Sequence, residues 1–481
     1  MYMKKDKKDN AMWKKFKTTF IGDAAFYRRI LYLAIPMILQ NAITSFVSFA
    51  DNIMVGRLGT EPMSGVAIVN QLLFVFNICV FGGVSGAGIF GTQFYGKGDY
   101  KGQKYAFRFK MYVSFAIAGI AFLMFVFMNT ELISLYLHDG GDVGDVSLAL
   151  EYGKQYIAIM TVSLIPFAIC QAYVSTIRET GQTFVPMVAS MIAVVTNLIL
   201  DYLFIFGIGP FPDMGVRGAA LATVIARIIE FLIVVIWTHR NPACNPYIVG
   251  AYRSLKIPAN ICKDIIKKGT PLMLNEMLWA SGMTVIVQCY SVRGLEVVAA
   301  QNISSTITNL FNIVFIQLGA CISIVVGQYL GAGELQKAKD ADNKMIFFSV
   351  VCCTVVAGVM ALVGGLFPDL YKTEESIKEL AGQFILIAAA VMPLCAFSHC
   401  SYFTLRSGGK TGVTFLFDSV YTWTIVVPFA FCLARYTVLP VTLVVFLVQF
   451  TEIIKVVIGF FMVRSNVWLN TIVDIQSENE R

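Results

Sequence analysis

The sequence predicts an all-α integral membrane protein, with twelve transmembrane helices arranged as two pseudo-symmetric six-helix lobes. Hydrophobic residues make up 57% of the 481 residues and charged residues only 14%, a balance that soluble chains of this length do not show. Twelve apolar stretches are each long enough to cross a bilayer as a helix. The second half of the chain also repeats residues of the first half in a fixed register, which indicates duplicated lobes.

Each predicted span is an apolar run of at least about 18 residues, the length that crosses the hydrocarbon core as an α-helix. The first run is too long for a signal peptide, contains Asp51 and has no small-residue cleavage site after it, so we predict a membrane helix there. Gly82 and Gly86 in the second run have the spacing of closely packed membrane helices. The predicted spans are 30–55, 65–92, 105–128, 152–177, 183–206, 217–238, 270–291, 300–327, 344–366, 378–404, 411–434 and 440–463.

Positive charges lie mostly on one side of these spans and predict the orientation. Of the 37 Lys and Arg residues, 28 fall on one side, nine of them before the first span, and six fall on the other side. Cytoplasmic loops carry the excess of Lys and Arg, so both termini are predicted to be cytoplasmic. The 129–150 loop has four acidic residues and no Lys or Arg, and is predicted to be external. The net charge of +7 then reflects topology and contact with anionic lipid, and needs no nucleic-acid partner.

An internal repeat relates the two halves of the chain. At an offset of 235 residues Pro36 aligns with Pro271, and at an offset of 228 residues Arg227 aligns with Lys455. Each half therefore holds six helices, and because six is even, both halves enter the membrane from the same side as a parallel repeat. Further aligned pairs at the first offset are Gly59 with Gly294, Gln93 with Gln328, Gly96 with Gly331, and Gly98 with Gly333.

The repeat and the spans together predict the domain organisation. The two lobes are separated by a polar cytoplasmic stretch and flanked by a basic N-terminal segment and a short C-terminal tail. The predicted boundaries are 1–29 for the N-terminal segment, 30–238 for the N-lobe, 239–269 for the linker, 270–463 for the C-lobe and 464–481 for the tail.

Asp51 is the one ionisable residue in the apolar run from Ile30 to Val55. An acidic residue at the centre of a membrane helix costs about 2.5–3.5 kcal/mol on insertion scales, so it indicates a functional role. Asn197 and Asp201 in the fifth span are four residues apart and share one helix face. If Asp51 meets that face, two carboxylates and an amide oxygen converge, and they can hold a proton near neutral pH or offer hard oxygens to sodium.

These residues resemble the multidrug and toxic compound extrusion (MATE) family over roughly residues 30–465. The resemblance rests on an ordered set of motifs together with the twelve spans. The motifs are Asp51-Asn52-Ile53-Met54-Val55-Gly56-Arg57-Leu58-Gly59, Gln93-Phe94-Tyr95-Gly96-Lys97-Gly98 after the second span, and Asn197-x-x-x-Asp201 in the fifth.

The resemblance implies a V-shaped bundle of two six-helix lobes that exports organic cations and other amphiphiles against proton or sodium entry. It implies that Asp51, Asn197 and Asp201 form the ion-coupling and substrate-binding site. The NorM-like branch of the family also has a second-lobe Glu eight residues after the proline of the seventh helix. Trp279 holds that position here, and Glu276 lies five residues after Pro271.

Other charges inside the spans are predicted to be mostly structural. Arg227 lies three residues before Glu230, and Glu452 three residues before Lys455, so each pair can neutralise itself on one helix. Acids without such a partner on their own helix are secondary candidates for the ion site. These secondary candidates are Glu276 and Asp418.

Three other classes of protein fit the sequence less well. A lipid-linked precursor flippase of the same superfamily would need a basic cavity for pyrophosphate, and Asp51 and Asp201 argue against one. A primary pump would need a nucleotide loop, yet Gly408-Gly409-Lys410-Thr411 lacks the earlier glycine of that motif and has Thr404 in its place. A membrane-embedded enzyme would need a nucleophile elbow or metal-ligand spacing, and neither pattern is present in the sequence.

We therefore predict a secondary active multidrug efflux transporter that is not an enzyme and uses no cofactor apart from a coupling ion, H⁺ or Na⁺. Sodium would bind at Asp51, Asn197 and Asp201. The predicted partners are small amphiphilic substrates, organic cations among them, and membrane lipids. The predicted protein is a monomer in the plasma (inner) membrane, multi-pass, with both termini cytoplasmic.

The topology can be tested by labelling single cysteines. In a version without native cysteines, a cysteine in the 129–150 or 367–378 loop should react from outside intact cells with an impermeant maleimide, because these loops are external. Cysteines in 93–110 and 239–268 should react only after the membrane is opened. Labelling of the 239–268 stretch in sealed cells would contradict this topology.

Overall fold

The computed structural model describes residues 13–14, 16–136 and 145–473. Over these ranges all regular secondary structure is helical, with no strand. Each of the twelve predicted spans coincides with one long helix, so the predicted fold class is confirmed. Part of the predicted external loop, 137–144, lies outside the described residues.

Six long helices form in each half of the sequence. The helices of the first half are α1 (Ala24–Gly56), α2 (Thr60–Lys97), α3 (Tyr100–Phe127), α4 (Val146–Glu179), α5 (Phe184–Ile205) and α6 (Gly215–Arg240). The helices of the second half are α7 (Ala259–Ser291), α8 (Leu295–Gly331), α9 (Leu335–Gly364), α10 (Glu375–Ser407), α11 (Thr411–Tyr436) and α12 (Val441–Arg464).

Eleven helices in the described part of the chain are long and apolar enough to cross a membrane, and α7 falls short of that composition. Its first turns contain Lys263, Asp264, Lys267 and Lys268. The helix begins at Ala259, eleven residues before the predicted span at 270, because hydropathy detects only the apolar part of a helix that continues beyond the hydrocarbon. Within the predicted 239–269 linker, residues 259–269 are therefore helical, as are residues 239–240 at its start.

Large apolar side chains remain exposed along the outer faces of the helices. Phe127 is 75% exposed, Leu362 78% and Phe461 65%. Such exposure would be costly in water, whereas in a bilayer these side chains contact lipid tails. The exposed apolar surface therefore agrees with the membrane assignment.

The contacts between helices divide the chain into two compact units. The N-unit comprises Leu39–Gly91 and Asp99–Met273, and the C-unit comprises Met1–Ile38, Thr92–Gly98 and Leu274–Arg481. In the N-unit α4 packs against α3 and α6, and α5 packs against α6. In the C-unit α10 packs against α8, α9 and α12.

Each unit includes the start of the other half's first helix. The division falls after Ile38 in α1 and after Met273 in α7, and these positions are 235 residues apart, the offset of the internal repeat. The predicted lobes are 30–238 and 270–463. The contact-based units differ from them in both halves, because the start of each half's first helix belongs to the unit of the other half. The lobe boundaries along the chain remain a prediction.

Backbone geometry repeats with the sequence. Gly59 has φ +127° and its repeat partner Gly294 has φ +122°, while Gly98 and Gly333 have +76° and +73°. These angles lie in a region that side chains with a Cβ rarely adopt, so the repeated glycines allow the same turn before and after the second helix of each half.

The ends of α2 and α8 contact each other reciprocally in the C-unit. A Cβ on Gly96 would lie 2.0 Å from the carbonyl oxygen of Gln328, and a Cβ on Gly331 would lie 1.9 Å from the carbonyl oxygen of Gln93. Gly96 and Gly331 are repeat partners, as are Gln93 and Gln328. The two helices therefore approach backbone to backbone, in the manner of small-residue contacts between membrane helices.

The stretch between α6 and α7 is bound to α3 within the N-unit. The Arg108 guanidinium donates to the carbonyl oxygens of Ala251 at 2.8 Å, Lys256 at 3.0 Å and Gly250 at 3.2 Å. Lys104 donates to Val249 O at 2.6 Å. The connection between the halves is thus held to one unit by charge-assisted hydrogen bonds along its length.

Adding a methyl group at the α2–α8 contact should destabilise the protein. Gly96→Ala and Gly331→Ala each force a Cβ into a backbone carbonyl, and overpacking of this kind costs about 1–3 kcal/mol. We expect a lower Tm for either variant in detergent, measured by thermal unfolding. Gly358→Ala is the matched control, because its Cβ meets nothing within 4 Å. Equal Tm values for all three variants would contradict the close contact.

Candidate functional site

Two carboxylates meet inside the N-unit, near the ends of α1 and α5. Asp51 lies about one turn before the end of α1 at Gly56, and Asp201 lies in the last turns of α5. Their carboxyl groups are close enough for a shared proton to join them. The sequence places them 150 residues apart, and because α1 and α5 run in the same direction, the C-terminal ends of both helices bring the two acids to the same level.

Asp201 is removed from solvent, and Asp51 is partly buried with its Oδ1 atom inaccessible. The side chain of Asp201 is only 1% exposed and Asn197, one helical turn earlier on the same face, is 7% exposed. Among the described residues, no donor lies at normal hydrogen-bond distance from Oδ1 of Asp51 or from either carboxylate oxygen of Asp201, and the Asn197 amide interacts with Asp201. Buried acceptors normally have partners, so a proton or a small cation at this point would complete the site.

Polar residues from three further helices line the same region. The Asn197 amide donates to Thr223 Oγ1 of α6 at 3.5 Å. The Tyr156 hydroxyl of α4 donates to Asn70 Oδ1 of α2 at 3.5 Å and also lies near Thr223. Sequence reasoning did not single out Tyr156 or Thr223, because a lone hydroxyl in an apolar run carries no periodic signal. Tyr156 and Thr223 lie near the two acids only because of how the helices pack.

Arg227 is a partly buried positive charge on α6. Its guanidinium donates to Ser163 Oγ at 3.1 Å and lies over the Phe167 ring, 4.8 Å from the centroid. Arg227 also interacts electrostatically with Glu230, its predicted partner on the same helix, although the two do not form a close ion pair. Glu230 instead hydrogen-bonds with Ser190 of α5.

The secondary candidates Glu276 and Asp418 have basic partners on other helices of the C-unit. Asp418 Oδ1 lies 2.9 Å from Lys455 Nζ, and Glu276 Oε1 lies 3.9 Å from Arg406 Nη1. The predicted Glu452–Lys455 pair on α12 is present at 3.5 Å. The C-unit acids are therefore held by fixed cations, while the N-unit pair has none within ion-pair distance among the described residues.

A further buried ion pair lies between α3 and α4 of the N-unit. Lys110, which is fully buried, contacts Glu179 and also donates to Thr176 Oγ1 at 3.0 Å. This pair could not be predicted, since the two residues are 69 positions apart and lie on different helices. Its charges are mutually satisfied, which indicates a structural role.

The sequence model of the MatE family matches residues 36–203 and 271–432. The two matched segments begin at the repeat-equivalent residues Pro36 and Pro271, so the family pattern occurs once in each half. Together they cover more than half of the chain. This protein belongs to the MatE family.

Named relatives support the same assignment. The chain is 22% identical over 415 residues to the "Probable multidrug resistance protein NorM" of Thermotoga maritima, covering 85% of this chain and 86% of that protein. It is 24% identical over 364 residues to the "FAD transporter" of Shewanella oneidensis, covering 75% and 77%. MatE proteins of similar sequence thus include a multidrug resistance protein and a transporter named for a nucleotide cofactor.

The MatE fold is also found by comparison with solved structures. A crystal structure of a MATE protein in complex with MaL6 superposes with a TM-score of 0.82 at 20% identity, covering 92% of this chain and 96% of that one. The predicted resemblance to the MATE family is confirmed, as is the multi-pass membrane architecture. The family consists of transporters, which points away from an enzyme.

Neutralising Glu276 should leave part of the transport of this MatE protein intact. Glu276 lies beside Arg406 and outside the Asp51–Asp201 pair, and at the repeat offset Asp51 aligns with Ile286, which is not an acid. We expect Glu276→Gln to retain a measurable fraction of wild-type efflux in whole cells. Complete loss of ion-coupled efflux at normal expression would move the coupling site into the C-unit.

Proposed function

We propose that this protein is a secondary active efflux transporter that exports amphiphilic compounds, organic cations among them, in exchange for protons or sodium ions. Asp51 and Asp201 form the coupling site, and Asn197 orients or ligates them. The transporter works by alternating access, and it functions as a monomer in the plasma (inner) membrane with both termini in the cytoplasm. Membrane lipid and small-molecule substrates are its partners.

The observation that carries this proposal is the pair of carboxylates, Asp201 buried and Asp51 partly buried, which have no Lys or Arg within ion-pair distance in the described part of the chain. Two acids at close range in a low dielectric cannot both be ionised without a cation between them, so the pair binds a proton or a sodium ion. An ammonium group of a substrate can offer the same charge, and the ion and the substrate then compete. Competition of this kind is what exchange of one for the other requires.

The driving force is sufficient for export. A unit charge that crosses the membrane gains about 2.3 kcal/mol per 100 mV, so one or two coupling ions can sustain roughly a ten- to thousandfold substrate gradient. This energy is delivered only if the site releases its ion on the inner side. Asp51 and Asp201 can do so, because they have no Lys or Arg that would hold them permanently ionised.

Aromatic and thioether side chains support amphiphilic substrates. The chain contains 38 Phe, 20 Tyr and 20 Met, residue types that bind flat lipophilic cations through cation–π and sulfur contacts. A relative named as an FAD transporter shows that sequence similarity alone leaves the substrate open. Organic cations remain our proposal because the candidate site is acidic.

A lipid-linked precursor flippase is the alternative within the same superfamily. Pyrophosphate would need Arg or Lys facing the substrate, yet the site in the N-unit presents Asp51 and Asp201. The most direct comparison is the uptake of a fluorescent organic cation into inside-out vesicles under an imposed pH or sodium gradient. If uptake requires one of the two gradients, that gradient identifies the coupling ion. If neither the pH gradient nor the sodium gradient drives uptake, ion-coupled export is contradicted.

Asp51→Asn should abolish gradient-driven efflux while leaving the fold intact. The amide has the shape of the carboxylic acid but cannot alternately bind and release a cation. We expect at least about a tenfold loss of cation transport in the vesicle assay. Asp201→Asn should cause the same loss or move the pH optimum, because it removes the group with which Asp51 shares a proton.

The control for both variants is Asp369→Asn, which neutralises an exposed carboxylate in the short helix Phe367–Leu370. It should transport like wild type. Expression and monodispersity of all variants are compared first. If purified Asp51→Asn transported a cation at the wild-type rate under the same gradient, the coupling site would lie elsewhere and Asp51 would be structural.

A further inference from the structure

The C-unit contains a buried charge cluster that export through Asp51 and Asp201 does not use. Lys455 of α12 lies 2.9 Å from Asp418 Oδ1 and 3.5 Å from Glu452 Oε1. Its side chain is 8% exposed, and those of Asp418 and Glu452 are 15% and 18% exposed. One ammonium group thus sits between two carboxylates, almost out of contact with solvent.

A local change in helix geometry builds one wall of this cluster. Helix α11 is π-helical over Leu416–Val420, a form that is rare and often marks functional sites. The wider turn directs both Asp418 and Ser419 towards Asn275 of α7. Asn275 donates to Asp418 Oδ2 at 3.1 Å, and its Oδ1 accepts from the Ser419 amide at 3.2 Å and the Ser419 hydroxyl at 2.7 Å.

The surroundings of the ammonium group are those of a cation site. Lys455 Nζ lies 5.5 Å from the centroid of the Phe417 ring and 6.0 Å from that of Tyr421, within the range of cation–π attraction. Asp418 is held by Asn275 on its second oxygen, so its first oxygen is fixed towards the cation. Carboxylate oxygens in a preformed arrangement are the ligands that hard cations prefer.

The repeat shows that this arrangement belongs to one unit. Arg227 is the repeat partner of Lys455, and Ser190 is the repeat partner of Asp418. In the N-unit Arg227 contacts Ser163 and Phe167 and interacts with Glu230 without a close ion pair, whereas Lys455 lies between two carboxylates at ion-pair distance. The second half therefore has an acid at position 418, and the first half has the neutral hydroxyl of Ser190 at the equivalent position.

We propose that Asp418 and Glu452, supported by Asn275, form a monovalent-cation site whose resident cation is the Lys455 ammonium of the chain itself. The tethered ammonium fills the site and excludes dissolved ions from it. Shortening the Lys455 side chain opens the site to sodium.

Electrostatics gives the reason. Removing one partner from a buried ion pair leaves an uncompensated charge, which is strongly destabilising unless another cation takes its place. A ligand that binds only the folded protein raises its stability in proportion to the logarithm of ligand concentration. The stability of a Lys455 variant with a shorter side chain should therefore depend on sodium. The stability of the wild-type C-unit should not change with sodium concentration.

The test is thermal unfolding of the purified full-length protein in NaCl and in choline chloride of equal ionic strength at pH 8. Lys455→Ala should gain about 3–6 °C in Tm from sodium relative to wild type, and the gain should saturate with concentration. Lys455→Ala with Asp418→Asn should lose this gain because a ligand is missing. Lys455→Met should show no gain, since its side chain fills the space without offering a charge.

Arg227→Ala is the matched control in the N-unit and should show no sodium-specific gain beyond wild type. No sodium effect in Lys455→Ala, or an equal effect when Asp418 is also neutralised, would overturn the proposal. If Lys455→Ala does not fold in choline, Lys455→Ser is measured in its place. Recovery of either variant only in sodium supports the proposal, and failure of both in sodium and choline alike contradicts it. None of these measurements depends on transport, so they are independent of the proposed export function.

Discussion

A charge inside a hydrocarbon layer must be paired, neutralised or supplied with an ion, and the interiors of both units follow from this constraint. Lys110 and Glu179 satisfy each other in the N-unit, and Lys455 is satisfied by Asp418 and Glu452 in the C-unit. The Asp51–Asp201 pair differs, because both members are acids. A pair of like groups cannot neutralise itself, and this is why we propose that the protein binds its coupling ion there.

The internal repeat explains how two similar halves come to have different chemistry. The scaffold is shared: the glycine turns have matching backbone angles, and α2 and α8 contact each other through equivalent glycines. The polar residues set on that scaffold are not shared. A duplicated framework with unlike polar groups allows one unit to exchange an ion while the other is held by its own lysine.

Much of the fold could be predicted from the sequence because a membrane helix is a long apolar run, and such runs are visible without tertiary information. The start of α7 could not, since its first turns contain Lys263, Asp264 and Lys267 and resemble a loop in composition. The helix continues there because a backbone whose hydrogen bonds are already satisfied within the helix can extend into water.

The candidate site was predictable only in part. Asn197 and Asp201 share a helix face because they are four residues apart. An isolated Asp51 in an apolar run is costly to insert into a membrane, which indicates a functional role. The partners of Asp418 and Glu276 were not predictable, because Lys455 and Arg406 lie on other helices, and contact between helices depends on rotation about each axis. Tyr156 and Thr223 join the acids for the same reason.

The π-helical turns of α11 make the length of this helix as important as its composition. A π turn accommodates one more residue than an α turn, and α11 contains two such segments, Leu416–Val420 and Thr422–Val426. Deleting a single residue from one of these segments would let it relax to α geometry while the residues on either side keep their positions around the axis, because the π turn holds the extra residue. One deleted codon within Leu416–Val420 would therefore change the direction of Asp418 and its neighbours alone, and the rest of α11 would keep its contacts.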